Sequence, residues 1–118
     1  MSKKNWGQLA VLNIYGCKSD ILRNPGKIRK FLPELCKKIK MKPMGLPIVK
    51  RFGSGTLEGY SAMQFIETSS ITIHMDEVWN RAFVDIFSCR KFNEKAAVAF
   101  AKKEFRAEKV TCRNILRG

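Results

Sequence analysis

The stretch "RAFVDIFSC", Arg81 to Cys89, is apolar on both of its alternating faces, with Phe83 and Phe87 on one side and Ala82, Val84 and Ile86 on the other. A run of that kind reads as a central strand with neighbours on both sides. A chain of 118 residues has room for a single core. The other elements must therefore be arranged about this strand, in one domain spanning residues 1–118.

They follow from period and punctuation. Leu9 to Tyr15 alternates, with Ala10, Leu12 and Ile14 on one side, and predicts a buried strand. Asn24 and Pro25 form a helix start, after which Ile28, Phe31, Leu32, Leu35 and Ile39 fall on one stripe. Pro33 interrupts that stripe and predicts a kink or a late start. Strands are expected at Pro47–Phe52, Tyr60–Ile66 and Ser70–Met75. A second helix, capped by Asn93, turns Ala97, Val98, Ala101 and Phe105 inward, and Lys109–Leu116 closes the chain as a strand. The expected class is α+β, a largely antiparallel sheet with two helices on one face. "GSGTLEG" misses the dinucleotide-binding spacing and leads into a strand instead of a helix, which excludes that class.

Lys and Arg number 23 against 10 acidic residues, a net charge of +13. Such a field favours anionic partners. The charge, however, falls mainly on the helical segments "KIRKFLPELCKKIKMK" and "AKKEFRAEK", away from their apolar stripes. Two solvated helix faces account for it, and a nucleic-acid partner is not expected. No run approaches the roughly 18 apolar residues of a membrane span, and no leader is expected. Cys17, Cys36, Cys89 and Cys112 are scattered and His74 is the lone histidine, so no metal set is expected. Unpaired thiols point to a reducing cytoplasm.

"ETSSITIHMDEV", Glu67 to Val78, places His74 beside a hydroxyl cluster. Ser70, Thr72 and His74 share one face of their strand, and Phe83, Asp85, Phe87 and Cys89 share one face of theirs. If the two strands are neighbours, His74 and Cys89 can meet as part of a nucleophile constellation. A partly buried histidine bonded to threonine fits the same residues.

At this point the chain resembles a known family, the short prokaryotic-type S-adenosylmethionine decarboxylases, self-cleaving proenzymes with a covalent pyruvoyl group. The family's run E-S-H-L-S-I-H, followed by a strand ending D-V-F-T-C or D-L-F-T-C, is met here by "TSSITIH" and "VDIFSC". Ser69, His74 and Cys89 match without a gap, and the family's G-V-S-G, met by "GYSA", places its helper serine at Ser61. "YGC" and "VTCRNILRG" agree as well, so the resemblance covers the whole chain. It implies cleavage between Thr68 and Ser69 into residues 1–68 and 69–118, with the pyruvoyl group formed from Ser69. His74 would be the processing base, Ser61 its helper and Cys89 a proton donor in decarboxylation. The group binds the substrate amine as a Schiff base and takes the place of pyridoxal phosphate; no metal is implied.

The resemblance further implies a small-molecule amine substrate, spermidine biosynthesis, and a homodimer built as an α/β/β/α sandwich. The chain departs from the family after the histidine. Where the family reads T-W-P-E, its tryptophan stacking on adenine and its glutamate holding ribose, this chain has Met75, Asp76, Glu77 and Val78. Asp76 shares the His74 side of the strand and could pair with an ammonium or guanidinium, or be a solvated turn residue. Phe52 is the other substrate-side candidate, and the loop after it is three residues longer than usual. Decarboxylation of arginine or ornithine therefore stands beside that of S-adenosylmethionine. An unprocessed homologue that binds RNA or protein through its basic helices is the reading from another class.

Overall fold

The computed structural model describes residues 5–118. Six strands form one sheet in the order β2-β3-β4-β5-β1-β6, with β1 at Gly7–Tyr15, β2 at Ile48–Phe52, β3 at Gly59–Ile66, β4 at Ser69–Asp76, β5 at Arg81–Ser88 and β6 at Lys109–Arg117. Every pairing is antiparallel. The stretch from Arg81 to Ser88 is central, between β4 and β1, because β1 inserts between β5 and β6 instead of pairing with its neighbour in the chain.

The two long helices, α2 (Pro25–Lys38) and α3 (Glu94–Glu104), begin where their asparagines predict. The Asn24 side chain accepts from the Lys27 N–H at 3.1 Å, and Asn93 accepts from Lys95 and Ala96 at 3.0 and 3.2 Å. Those bonds satisfy amides that a helix start leaves without partners. Pro33 lies inside α2 without ending it. A third, short helix, α1 at Ser19–Leu22, was not expected; it is one turn long and too short to show a period. Among the described residues no helix is long and apolar enough to cross a membrane.

Ala10, Leu12 and Ile14 of β1, Ile71 and Ile73 of β4, and Val84 and Ile86 of β5 are fully buried beneath α2 and α3. From α3, Ala97, Phe100, Ala101 and Phe105 enter this core; Phe100 replaces Val98, which is half-buried. Among the described residues, the opposite face of the sheet carries no helix. There Leu9, Val11, Met63, Phe83 and Phe87 are half-buried and Phe65, Ile48 and Ile115 are exposed. The double-sided apolar pattern of β5 thus corrects to one face covered and one left open.

The glycine-rich segment after Phe52 folds into a 3₁₀ turn at Gly55–Leu57. Gly53 takes φ +86°, and a Cβ there would meet the Leu57 carbonyl oxygen at 2.5 Å. At Gly59 a Cβ would stand 2.7 Å from the Met75 carbonyl oxygen. Gly53 thus allows the tight turn of its own loop, and Gly59 the close approach of the backbone to β4.

Candidate active site

The expected residues separate into two groups. The first lies at the β3–β4 hairpin, where Glu67 and Thr68 form a two-residue turn between the paired residues Ile66 and Ser69. Thr68 has φ 55°. For a β-branched residue this left-handed conformation is strained, at a cost of roughly 1–3 kcal/mol. Cys89, just beyond β5, brings its Sγ to 2.6 Å from Thr68 Oγ1, and its N–H donates to Ser69 Oγ at 3.4 Å. The pairing of Ser69 with Ser88 makes this contact possible.

Ser61 and His74 form the second group, directly opposite one another on β3 and β4. Ser61 Oγ and His74 Nδ1 are 2.9 Å apart. They stand on the open face in a hollow of about 620 Å³, walled by Phe52, Asp76, Trp79, Arg81 and Phe83. The partner of His74 is thus a serine and not a threonine.

His74 and Cys89 do not meet, although β4 and β5 are neighbours. The register pairs His74 with Phe83, six residues before Cys89, which is about 20 Å along a strand. Ser69 is likewise about 17 Å from His74 and on the opposite face of the pleat. Thr68, Ser69 and Cys89 line a hollow of their own, of about 300 Å³, with Met41, Ile66 and Arg90.

Asp76 does share the hollow with His74, yet its carboxylate is engaged. Arg81 holds Oδ2 at 2.7 Å and the Trp79 N–H donates to Oδ1 at 3.4 Å. Two wall residues were missed in the sequence, Trp79 and Arg81. Trp79 is 71% exposed at the β4–β5 turn, and a turn aromatic carries no periodic signal.

Glu77 was missed as well. Its side chain is only 5% exposed and points to the helix side. Arg51 donates from Nη1 and Nη2 to its two oxygens at 2.7 and 3.0 Å, and Arg23 donates at 3.0 Å. Arg51 also donates from Nε to Glu58 at 2.6 Å. The network ties β2, the glycine loop and the end of α1 to the end of β4, and so fixes one wall of the hollow. Hydrogen bonds from Arg51, with the charges of Arg51 and Arg23, hold the Glu77 carboxyl below its usual range against the opposing effect of burial. A carboxylate with a depressed folded pKa stabilises above its unfolded pKa, about 4.3, and loses that contribution as pH falls through the folded value. Glu77→Gln is expected to cost about 1.5–3 kcal/mol in urea unfolding at pH 7. The difference from wild type should shrink below about pH 4.

Burial pushes the Cys17 and Cys36 thiols up to about 11, so both stay protonated inside the core. Cys89, half-buried at the hairpin, is the cysteine in contact with the hydroxyl cluster.

A six-stranded antiparallel sheet with helices on one face is also the fold of a solved decarboxylase. The chain superposes on the adenosylmethionine decarboxylase from Aquifex aeolicus VF5 with a TM-score of 0.80, over 98% of this chain and 92% of that one, at 20% identity. The profile of the family described as S-adenosylmethionine decarboxylase matches residues 8–118. The chain belongs to that family and is an enzyme of the carboxy-lyase class. A proenzyme from Clostridium botulinum (strain Langeland), named S-adenosylmethionine decarboxylase, is 32% identical over 95% of this chain and 94% of its own length. A relative of the same name from Clostridium kluyveri is 28% identical over 95% of this chain and 86% of its own length.

Proposed function

We propose that the chain is a self-cleaving, pyruvoyl-dependent S-adenosylmethionine decarboxylase of the cytoplasm, feeding spermidine synthesis, and that it works as a homodimer. The observation that carries this reading is the Thr68–Ser69 junction. A strained residue precedes the bond, a serine follows it, and Cys89 touches both. The bond lies where turn meets strand, so cutting it leaves the sheet ladder whole, and Ser69 can become a chain end that carries the group.

In this scheme Ser69 Oγ adds to the Thr68 carbonyl carbon, the C–N bond breaks, and an ester with a free amine results. Ser61 Oγ–H steadies the oxyanion on the way. His74 removes the Ser69 α-proton; the ester C–O bond then breaks, leaving Thr68 as a carboxylate and Ser69 as a dehydroalanine. Hydrolysis of that residue releases ammonia and leaves the pyruvoyl group. Once formed, the group supplies an electron sink for the carboxylate's departing electrons. Cys89 returns a proton to the substrate α-carbon.

The roughly 17–20 Å between the two groups bears on the oligomer. No single copy can bring its own His74 to its own Ser69 without dismantling β4. Two copies packed by their open faces, with the sheets turned end for end, can set Thr68, Ser69 and Cys89 of one beside Ser61 and His74 of the other. The same packing would cover the exposed apolar side chains.

Phe52 and Trp79 offer exposed rings to a purine, in place of the tryptophan that family members carry at the position of Asp76. Glu77, held by two arginines, is not free to bind ribose. The test is release of labelled CO₂ from S-adenosylmethionine, arginine and ornithine. S-adenosylmethionine is the expected substrate, with neither amino acid used. In Asp76→Asn, Arg81 is left without its partner in the hollow, and KM for the cationic substrate should rise about tenfold with kcat little changed. Turnover of arginine or ornithine instead would overturn the assignment.

A further inference from the structure

Residues 27–42 and 90–106 hold 13 of the 23 Lys and Arg but 3 of the 10 acidic residues. In the fold they are not two separate solvated faces. Phe31 stacks on Phe100 at 5.4 Å and tilts against Phe105 at 4.9 Å, which sets α2 and α3 side by side. Their outward side chains therefore merge into one cationic layer on the side of the sheet away from the open face. Among the described residues one ion pair, Lys30–Glu34 at 3.9 Å, neutralises any charge within that layer. Three concavities lie on it, of about 680, 500 and 480 Å³, and in each the bordering cations outnumber the acidic residues. The first sets Lys38, Lys40, Arg90, Lys91 and Lys95 against Glu94. The second sets Lys27, Lys30, Lys103 and Arg106 against Glu34 and Glu104, and the third sets Lys37, Lys38 and Lys103 against the same two glutamates.

This charge does not serve the proposed reaction, because S-adenosylmethionine is itself a cation that a positive field repels. The layer is also a poor protein-docking surface. Interfaces are anchored by buried aromatic and apolar side chains, and none of the exposed large hydrophobics lies on α2 or α3. A membrane-surface helix needs an apolar face to insert, and the apolar stripes of both helices are spent on the core. What remains is recognition by charge alone, over a helix about 21 Å long.

We propose that the outer face of α2 and α3 docks the phosphate backbone of a nucleic acid, independently of base sequence. Affinity comes from counterion release, with no aromatic platform for stacking bases. The elimination uses only the positive charge of the substrate, which S-adenosylmethionine, arginine and ornithine share, and so does not depend on which of them is used.

Fluorescence anisotropy of the full chain with a labelled RNA of 20 nucleotides tests it, read at several salt concentrations. Wild type should bind in the range of about 1–100 μM near 0.15 M salt, with log K falling linearly against log salt. The triple variant Lys27→Gln, Lys95→Gln, Lys103→Gln should lose at least about tenfold, and its slope should flatten by about 0.7 for each phosphate contact removed. Lys50→Gln, Lys109→Gln, Arg113→Gln removes the same charge from the strands instead and should bind as wild type. Thermal unfolding of both variants establishes that they fold. No binding by wild type, equal loss in both variants, or binding to anionic phosphatidylserine vesicles without binding to RNA would each overturn the proposal.

Discussion

Ser69→Ala protein is expected to remain one chain of 118 residues, whereas wild type should separate into residues 1–68 and 69–118. Intact-mass measurement reads the difference directly. The carboxy-terminal piece of wild type should lack a free amine and react with carbonyl reagents. No neighbouring hydroxyl can substitute for the missing one. Thr68 Oγ1 is turned to its neighbour Glu67's carbonyl and to Cys89 at 2.6 Å, and Ser70 points to the opposite side of the pleat from Ser69. Decarboxylation should fall to background with cleavage. Cys89→Ala, in contrast, keeps the attacking oxygen and should still cleave while losing most turnover. A wild-type chain that stays whole after long incubation would sink the processing scheme.

The second large effect is complementation. Ser69→Ala and His74→Ala should each be inactive alone, yet co-expression should restore about a quarter of wild-type sites if two copies share each site. Half of the randomly mixed dimers are hybrids, and each hybrid contains one intact site. Ser69→Ala with Cys89→Ala should restore nothing, since those residues lie at the same hairpin. No recovery with the first pair would mean that each site is built within one chain; recovery with the second would mean that Ser69 and Cys89 come from different copies.

The limits of the sequence show at particular residues. Alternation placed Ile71, Ile73, Val84 and Ile86 on buried faces because a pleat has period 2. Asn24 and Asn93 marked helix starts because a cap is a local bond. The neighbour relations were not legible: alternation assigns a face, but pairing register is a long-range outcome. That is why His74 faces Phe83, and Cys89 faces the hairpin. The commitment of Glu77 to Arg51 and Arg23 was hidden for the same reason, its partners lying 26 and 54 residues away. The positive charge was legible as a quantity. Its merging into one layer needed Phe31 against Phe100, a contact between two helices far apart in the chain.

The strand order carries a consequence for the life of a molecule cut after Thr68. Residues 1–68 supply β2, β3 and β1, and residues 69–118 supply β4, β5 and β6, so the order β2-β3-β4-β5-β1-β6 alternates between the pieces. The first strand of one piece is threaded between two strands of the other and paired along its length with both. Neither piece can leave without tearing the sheet, so the cut enzyme is as durable as the fold around it. Assembly does not run in reverse on the same terms. An uncut chain folds as a single body, at a rate that does not depend on concentration. Once denatured, cut pieces must find each other before either has a core. With the proposed cut, the sheet would be made once, from the continuous chain, and its endurance afterwards would be a matter of unfolding rate rather than equilibrium.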